Sequence, residues 1–211
     1  MAYDFLIFDL DGTLSDPKEG IVRSINHALV SHGYGELPEK ELVRYIGPPL
    51  DQTFAQITRA SEAARITSLV EIYRERYASV GYSENTIYDG MQQILEDLVL
   101  SGVKLGVCTS KRRDFAEKIL EMFSIREYFQ FVDGGDVGIH KWQQLEKLMR
   151  KGVVTQDSVM IGDRDVDIIA AHKNGMLSAG VLWGFGSAEE LRNENPHYLL
   201  ESPAGLLSLI V

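Results

Sequence analysis

One cysteine, Cys108, stands in 211 residues, so no intramolecular disulfide can form and a reducing compartment fits. No apolar run reaches the roughly 18 residues that a membrane-spanning helix needs. The opening residues, MAYDFLIF, lack the basic stretch and small-residue cleavage site of a secretory leader. Positive charge is scarce: 21 Lys and Arg against 31 Asp and Glu leave a net charge of -10. Such a chain is a poor match for a nucleic-acid backbone or an anionic membrane. These absences point to a cytoplasmic location with no nucleic-acid and no membrane partner. An anionic substrate would need a local reversal of sign, for which a bound metal is the obvious device. The five histidines show no ligand spacing, and no Walker A, GxSxG or GxGxxG pattern occurs.

What is present is ordinary in amount and specific in placement. Hydrophobic content of 45% and charged content of 25% suit a globular chain with a real core. The first apolar run, FLIF at 5–8, is strand-like and ends at Asp9, with Asp11, Gly12 and Thr13 behind it. Residues 16–85 carry no convincing strand. Asp16, Pro17 and Glu19 form a helix-start pattern, and Ile21, Ile25 and Leu29 recur at four-residue spacing. Shorter helical pieces near 38–46 and 49–60 flank a rigid GPP, and a long helix is expected from Ser61 to about Val80.

From about residue 86 the pattern changes to alternation. Strands are expected at 103–110, 129–135, 157–163, 177–183 and, at an edge, 197–202; helices fall between them and at the end. Alternation of this kind indicates a parallel sheet covered on both faces. The expected class is therefore α/β, with core segments 1–15 and 86–211 and an all-helical insertion at 16–85. Ligands of such sheets bind outside the carboxyl ends of the strands. Asp9, Asp11, Thr109, Ser110 and Asp163 all fall at those ends.

Acids at two strand tips, DLDGT (9–13) and GDRDVD (162–167), would repel one another in one crevice. A hard divalent cation such as Mg²⁺ resolves the repulsion. The same acids can do chemistry: Asp9 as a nucleophile toward phosphorus, Asp11 as a general acid and base. Thr109 and the Ser110 amide can hold phosphate oxygens at a strand-to-helix turn. The calcium-loop reading fails from either start. From Asp9, Leu14 and Gly20 stand where glycine and glutamate are required; from Asp163, Ile168 and Asn174 do.

In this order and company, DLDGT, the Thr109–Ser110 pair, Lys141 and GDRDVD resemble the four motifs of the haloacid dehalogenase-like hydrolases, in their phosphatase branch. DPKEGI (16–21), YIGPP (45–49), YRERY (73–77) and GVLWGFGSAEEL (180–191) look like its phosphoglycolate phosphatase and 5'-nucleotidase-like members. The resemblance implies a Rossmann-like core with a helical cap. It implies an Mg²⁺-dependent phosphatase acting on a small phosphate ester, as a monomer or homodimer. By position, Asp9 is nucleophile and metal ligand, and Asp11 is acid/base and a ligand through its carbonyl. Thr109 binds phosphate, Lys141 orients nucleophile and phosphate, Asp163 ligates the metal and Asp167 supports it. Lys141 is followed by Trp142 instead of proline or a small residue, and the preceding GGDVGIH (134–140) departs from the family's pattern. Lys147 therefore stays open as an alternative.

Within 16–85 there are 10 acidic and 8 basic residues, so the insertion is no basic lid. Lys18, Arg23 and Arg44 are its candidate substrate cations, suited to a carboxylated ester such as 2-phosphoglycolate. Tyr45, Phe54 and Trp183 would instead wall a nucleoside monophosphate. The reading leans to phosphoglycolate-like esters, with a 5'-nucleotidase or a phosphoacceptor signalling module as alternatives.

Overall fold

Phe5, Leu6, Ile7 and Phe8 are all buried, although successive side chains of a strand point to opposite faces. Such a strand belongs inside a sheet covered on both sides. A computed structural model, describing residues 3–135 and 138–210, has that sheet. In chain order the strands are β1 Phe5–Phe8, β2 Ser15–Asp16, β3 Thr86–Ile87, β4 Lys104–Thr109, β5 Phe129–Gly134, β6 Val159–Gly162, β7 Leu177–Val181 and β8 Tyr198–Leu200. The helices are α1 Lys18–Ser31, α2 Glu39–Leu42, α3 Leu50–Thr58, α4 Ala63–Ser79, α5 Met91–Leu100, α6 Arg113–Met122, α7 Lys141–Arg150, α8 Asp165–Lys173 and α9 Ala188–Asn193. Asp136 and Val137, within the atypical GGDVGIH stretch, lie outside the described residues.

The main sheet runs β5-β4-β1-β6-β7-β8, and every pairing in it is parallel. The α/β class expected from the alternation is thus the one that forms. On one face Phe5, Ile7, Cys108 and Met160 pack with Leu145 and Leu148 of α7 and Ala170 and Ala171 of α8. Leu6 and Phe8, which point the other way, are also fully buried. Cys108 lies in this core as an inert thiol, and burial raises its pKa.

The register decides what meets at the crevice. Phe8 is level with Val107 of β4 and Ile161 of β6. Asp9, Thr109 and Asp163 therefore leave three adjacent strands on one edge.

By contacts the chain divides into two compact units, Met1–Asp16 with Ile87–Val211, and Pro17–Thr86. The division falls one residue later at each end than the sequence pattern suggests. Asp16 explains the first shift. It is no helix cap but a residue of β2, which pairs with β3. Helix α1 starts at Lys18 after Pro17, with no side-chain cap, and Glu19 pairs with Arg23 at 2.6 Å instead of closing a capping box. The long helix begins at Ala63, after Glu62 and not after Ser61. The last helix is a 3-10 turn over Pro203–Ile210.

The second unit is helical. Ile25 and Leu29 of α1 and Leu69, Tyr73 and Tyr77 of α4 are buried. The Tyr73 and Tyr77 rings stack at 5.6 Å, and Phe54 of α3 meets Tyr73 edge-on at 6.3 Å.

Candidate active site

β1 delivers Asp9 to the crevice, and a tight turn follows it. Leu10 carbonyl accepts from the Leu14 and Ser15 N–H groups at 2.9 and 3.1 Å, and Gly12 N–H donates to Ser15 carbonyl at 2.8 Å. Gly12 has φ +84, and a Cβ there would stand 2.2 Å from Asp163 Oδ2. Only glycine satisfies both demands. The second acidic tip is thus packed directly on the turn of the first.

β6 ends at Gly162, and Asp163 follows, fully buried. Its Oδ2 accepts from the Phe185 N–H at 2.8 Å, and the Thr13 hydroxyl lies 3.5 Å from Oδ1. Asp167 is the third residue of α8. Its Oδ2 accepts from the Arg164 N–H at 3.1 Å, and its Oδ1 takes a short bond from Lys141 Nζ. Lys141, the first residue of α7, is 5% exposed, and its Nζ also lies 2.9 Å from Asp9 Oδ1.

Asp9, Asp163 and Asp167 bring carboxylate oxygens within 4.8 Å of one another. Burial, then repulsion from Asp167 and Asp9, pushes the Asp163 carboxyl up to about 8. Burial likewise raises Asp167, against the pull of Lys141. For Lys141 burial disfavours the charge, but Asp167 and Asp9 outweigh it and raise its pKa. Three acids are crowded together and one ammonium group, on Asp9 and Asp167, faces them, so the cluster carries unbalanced negative charge. Its donors are all hard oxygens. Both facts fit a divalent cation held among Asp9, Asp163 and Asp167.

Asp11 is placed differently. Its carboxylate lies outside that cluster and faces Lys111, whose Nζ is 2.8 Å from Asp11 Oδ2. Burial raises its pKa, opposed by Lys111. Thr109 is buried at the end of β4, and its Oγ1 accepts from the Lys111 N–H at 3.2 Å. Ser110 is exposed in the turn that follows.

Two residues of this site carry no motif signal of their own, Lys111 and Gln144. Gln144 is buried and donates to the Thr109 carbonyl at 3.1 Å. The adjacency of Lys111 to Thr109–Ser110 is the one hint that sequence offers. Trp183 ties in from β7's far end, donating from Nε1 to the Thr13 carbonyl at 3.0 Å.

The remaining candidates have other partners. The Lys147 side chain is 57% exposed and pairs with Asp133 at 3.4 Å. In the helical unit Lys18 pairs with Glu39 at 3.6 Å, and Arg23 with Glu19 at 2.6 Å and Glu84 at 2.8 Å. Arg44 donates to the Tyr45 hydroxyl at 3.1 Å and sits over its ring. Tyr45 and Phe54 are buried there, so neither offers an open wall.

Comparison with known proteins bears on this geometry. The family model described as haloacid dehalogenase-like hydrolase matches residues 6–181. A 5'-nucleotidase of Pseudomonas aeruginosa is 40% identical over 209 residues, 97% of this chain and 94% of the relative. The pyrophosphatase PpaX of Bacillus velezensis is 31% identical over 97% of this chain and 94% of its own. Among solved structures, a predicted phosphatase from Clostridium acetobutylicum superposes with a TM-score of 0.92 at 34% identity, covering 100% of this chain and 99% of that one.

Proposed function

Because the chain belongs to the haloacid dehalogenase-like hydrolases and is a phosphatase of that family, we propose that it hydrolyses a small phosphate monoester through an aspartyl-phosphate on Asp9, with Mg²⁺ as cofactor. The observation that carries this is the buried cluster of Asp9, Asp163 and Asp167, with Lys141 paired to Asp9 and Asp167. Bound Mg²⁺ would offset charge on the phosphoryl oxygens.

The chain's own groups do the rest. An Asp9 carboxylate oxygen attacks phosphorus, and the bond from phosphorus to the ester oxygen breaks. The leaving oxygen takes a proton from Asp11. Water then attacks the aspartyl-phosphate and gives its proton to Asp11. Inorganic phosphate leaves, and Asp9 is restored. Lys141 holds Asp9 in place and neutralises the incoming phosphoryl group, while Thr109 and Ser110 hold its outer oxygens.

For the alcohol half of the ester, a nucleoside is better supported than glycolate. The 40% identical relative is a 5'-nucleotidase, and Lys18, Arg23 and Arg44 are engaged within their own unit. Phosphate release from UMP and from 2-phosphoglycolate, with and without EDTA, tests the reading. The expected result is EDTA-sensitive turnover with kcat/KM at least about tenfold higher for UMP, roughly 1.4 kcal/mol of transition-state binding. Higher kcat/KM for 2-phosphoglycolate returns the assignment to the carboxylated ester. Activity that survives complete chelation removes the metal.

A further inference from the structure

Lys111 has no part in the chemistry described so far, yet its side chain is only 7% exposed. A buried ammonium needs a carboxylate in front of it, and Asp11 Oδ2 stands there at 2.8 Å. The backbone of Lys111 has little latitude. Its N–H donates to Thr109 Oγ1 at 3.2 Å, and its carbonyl accepts from the Gly135 N–H at 3.0 Å. A Cβ at Gly135 would come within 2.8 Å of the Ser110 carbonyl oxygen, and one at Gly134 within 2.3 Å of the Arg113 nitrogen. The end of β5 thus closes directly on the turn that carries the lysine.

Asp11 is only two residues from Asp9, and a cation among Asp9, Asp163 and Asp167 would attract its carboxylate as well. Lys111 supplies the opposing attraction. With Oδ2 so engaged, Oδ1 is left buried and without a hydrogen-bond partner.

We propose that Lys111 is a positioning residue, whose ammonium group holds the Asp11 carboxylate out of the metal cluster and keeps Oδ1 directed at the leaving-group oxygen. This rests on the acid/base role given to Asp11 above. Lys111 acts on the ester oxygen only through Asp11, so its importance depends on how much that oxygen needs a proton.

The test compares p-nitrophenyl phosphate, whose phenolate leaves without protonation, with β-glycerophosphate, whose alkoxide does not. Lys111→Met should lower kcat/KM for β-glycerophosphate about tenfold more than for p-nitrophenyl phosphate, and Lys111→Arg should recover most of the loss. In an Asp11→Asn background, where no buried carboxylate is left unpaired, Lys111→Met should cost no more than about twofold further. That double variant keeps the test open if Lys111→Met alone does not fold. Equal losses on both esters, unchanged rates, or a full additive loss in the Asp11→Asn background would each overturn the role of Lys111. Asp11→Asn at the wild-type rate would overturn the acid/base reading itself, and the Lys111 proposal with it.

Discussion

The two compact units handle charge in opposite ways. In the sheet unit Asp9 and Asp163, just past strand ends, and Lys141 and Asp167, in the first turns of α7 and α8, are all buried. In the helical unit the buried polar residues, among those described, are the uncharged Ser24 and Thr53. Its ion pairs lie nearer solvent: even Arg76 and Glu84, which bond at 2.9 Å, keep side chains 17% and 15% exposed. Exposed pairs such as Arg23–Glu19 add little stability, and Phe54, Tyr73 and Tyr77 supply buried apolar area to the helical unit. The sheet unit has an equally apolar core, but at its edge it keeps like charges together at a cost. Such a cost is expected where a site is arranged for a ligand that the polypeptide does not itself supply.

The sharpest break of this contrast is at the strand tips. Asp9→Asn should abolish phosphate release, since no nucleophile remains. Lys141→Ala should lower kcat on the order of 10²–10³, the scale of a lost charge-stabilising donor. Lys147→Ala should leave it within about twofold, as befits an exposed pair. Steady-state kinetics on the three variants decides the matter, and a damaging Lys147→Ala would transfer the third-motif role to that residue.

Stability should respond in the opposite direction to activity. The Asp163 carboxyl is raised to about 8 from an ordinary 3.8. A folded state that holds its proton more tightly than the unfolded chain loses stability as pH rises through that interval. The metal-free protein should therefore lose Tm between about pH 4 and pH 8. Asp163→Asn should flatten that slope to the share left by Asp11 and Asp167, whose carboxyls burial also raises, and should melt higher than wild type at pH 8. Excess Mg²⁺ should raise the wild-type Tm and leave the variant's unchanged. Parallel thermal melts of the metal-free proteins check the sign, and a wild type that melts higher than the variant without metal would refute it.

The smallest effect belongs to the helical unit. Arg23→Ala breaks exposed pairs with Glu19 and Glu84 and should move Tm by no more than about 1 °C. It should leave the ratio of kcat/KM for UMP over 2-phosphoglycolate unchanged. A collapse of that ratio would make Arg23 a substrate contact and bring the helical unit into specificity.

Sequence by itself determined the alternation of apolar strands and amphipathic helices from residue 86 onward, and with it the parallel sheet. It also determined that acids and hydroxyls stand at strand ends, because a motif such as DLDGT is local and its position after FLIF is visible in one dimension. Tertiary structure decided which side chains face one another. Lys141 and Lys147 are both on α7, but six residues at about 100° each place them on different sides of the helix; only the packing of α7 on the sheet turns Lys141 toward Asp9 and Asp167. Asp16 reads locally as a cap, yet pairing of β2 with β3 draws it into an extended strand. The Lys111–Asp11 pair joins residues 100 positions apart. It exists because β1 lies beside β4 in the sheet, and strand order is set by the global burial of apolar faces, which no short stretch of sequence records.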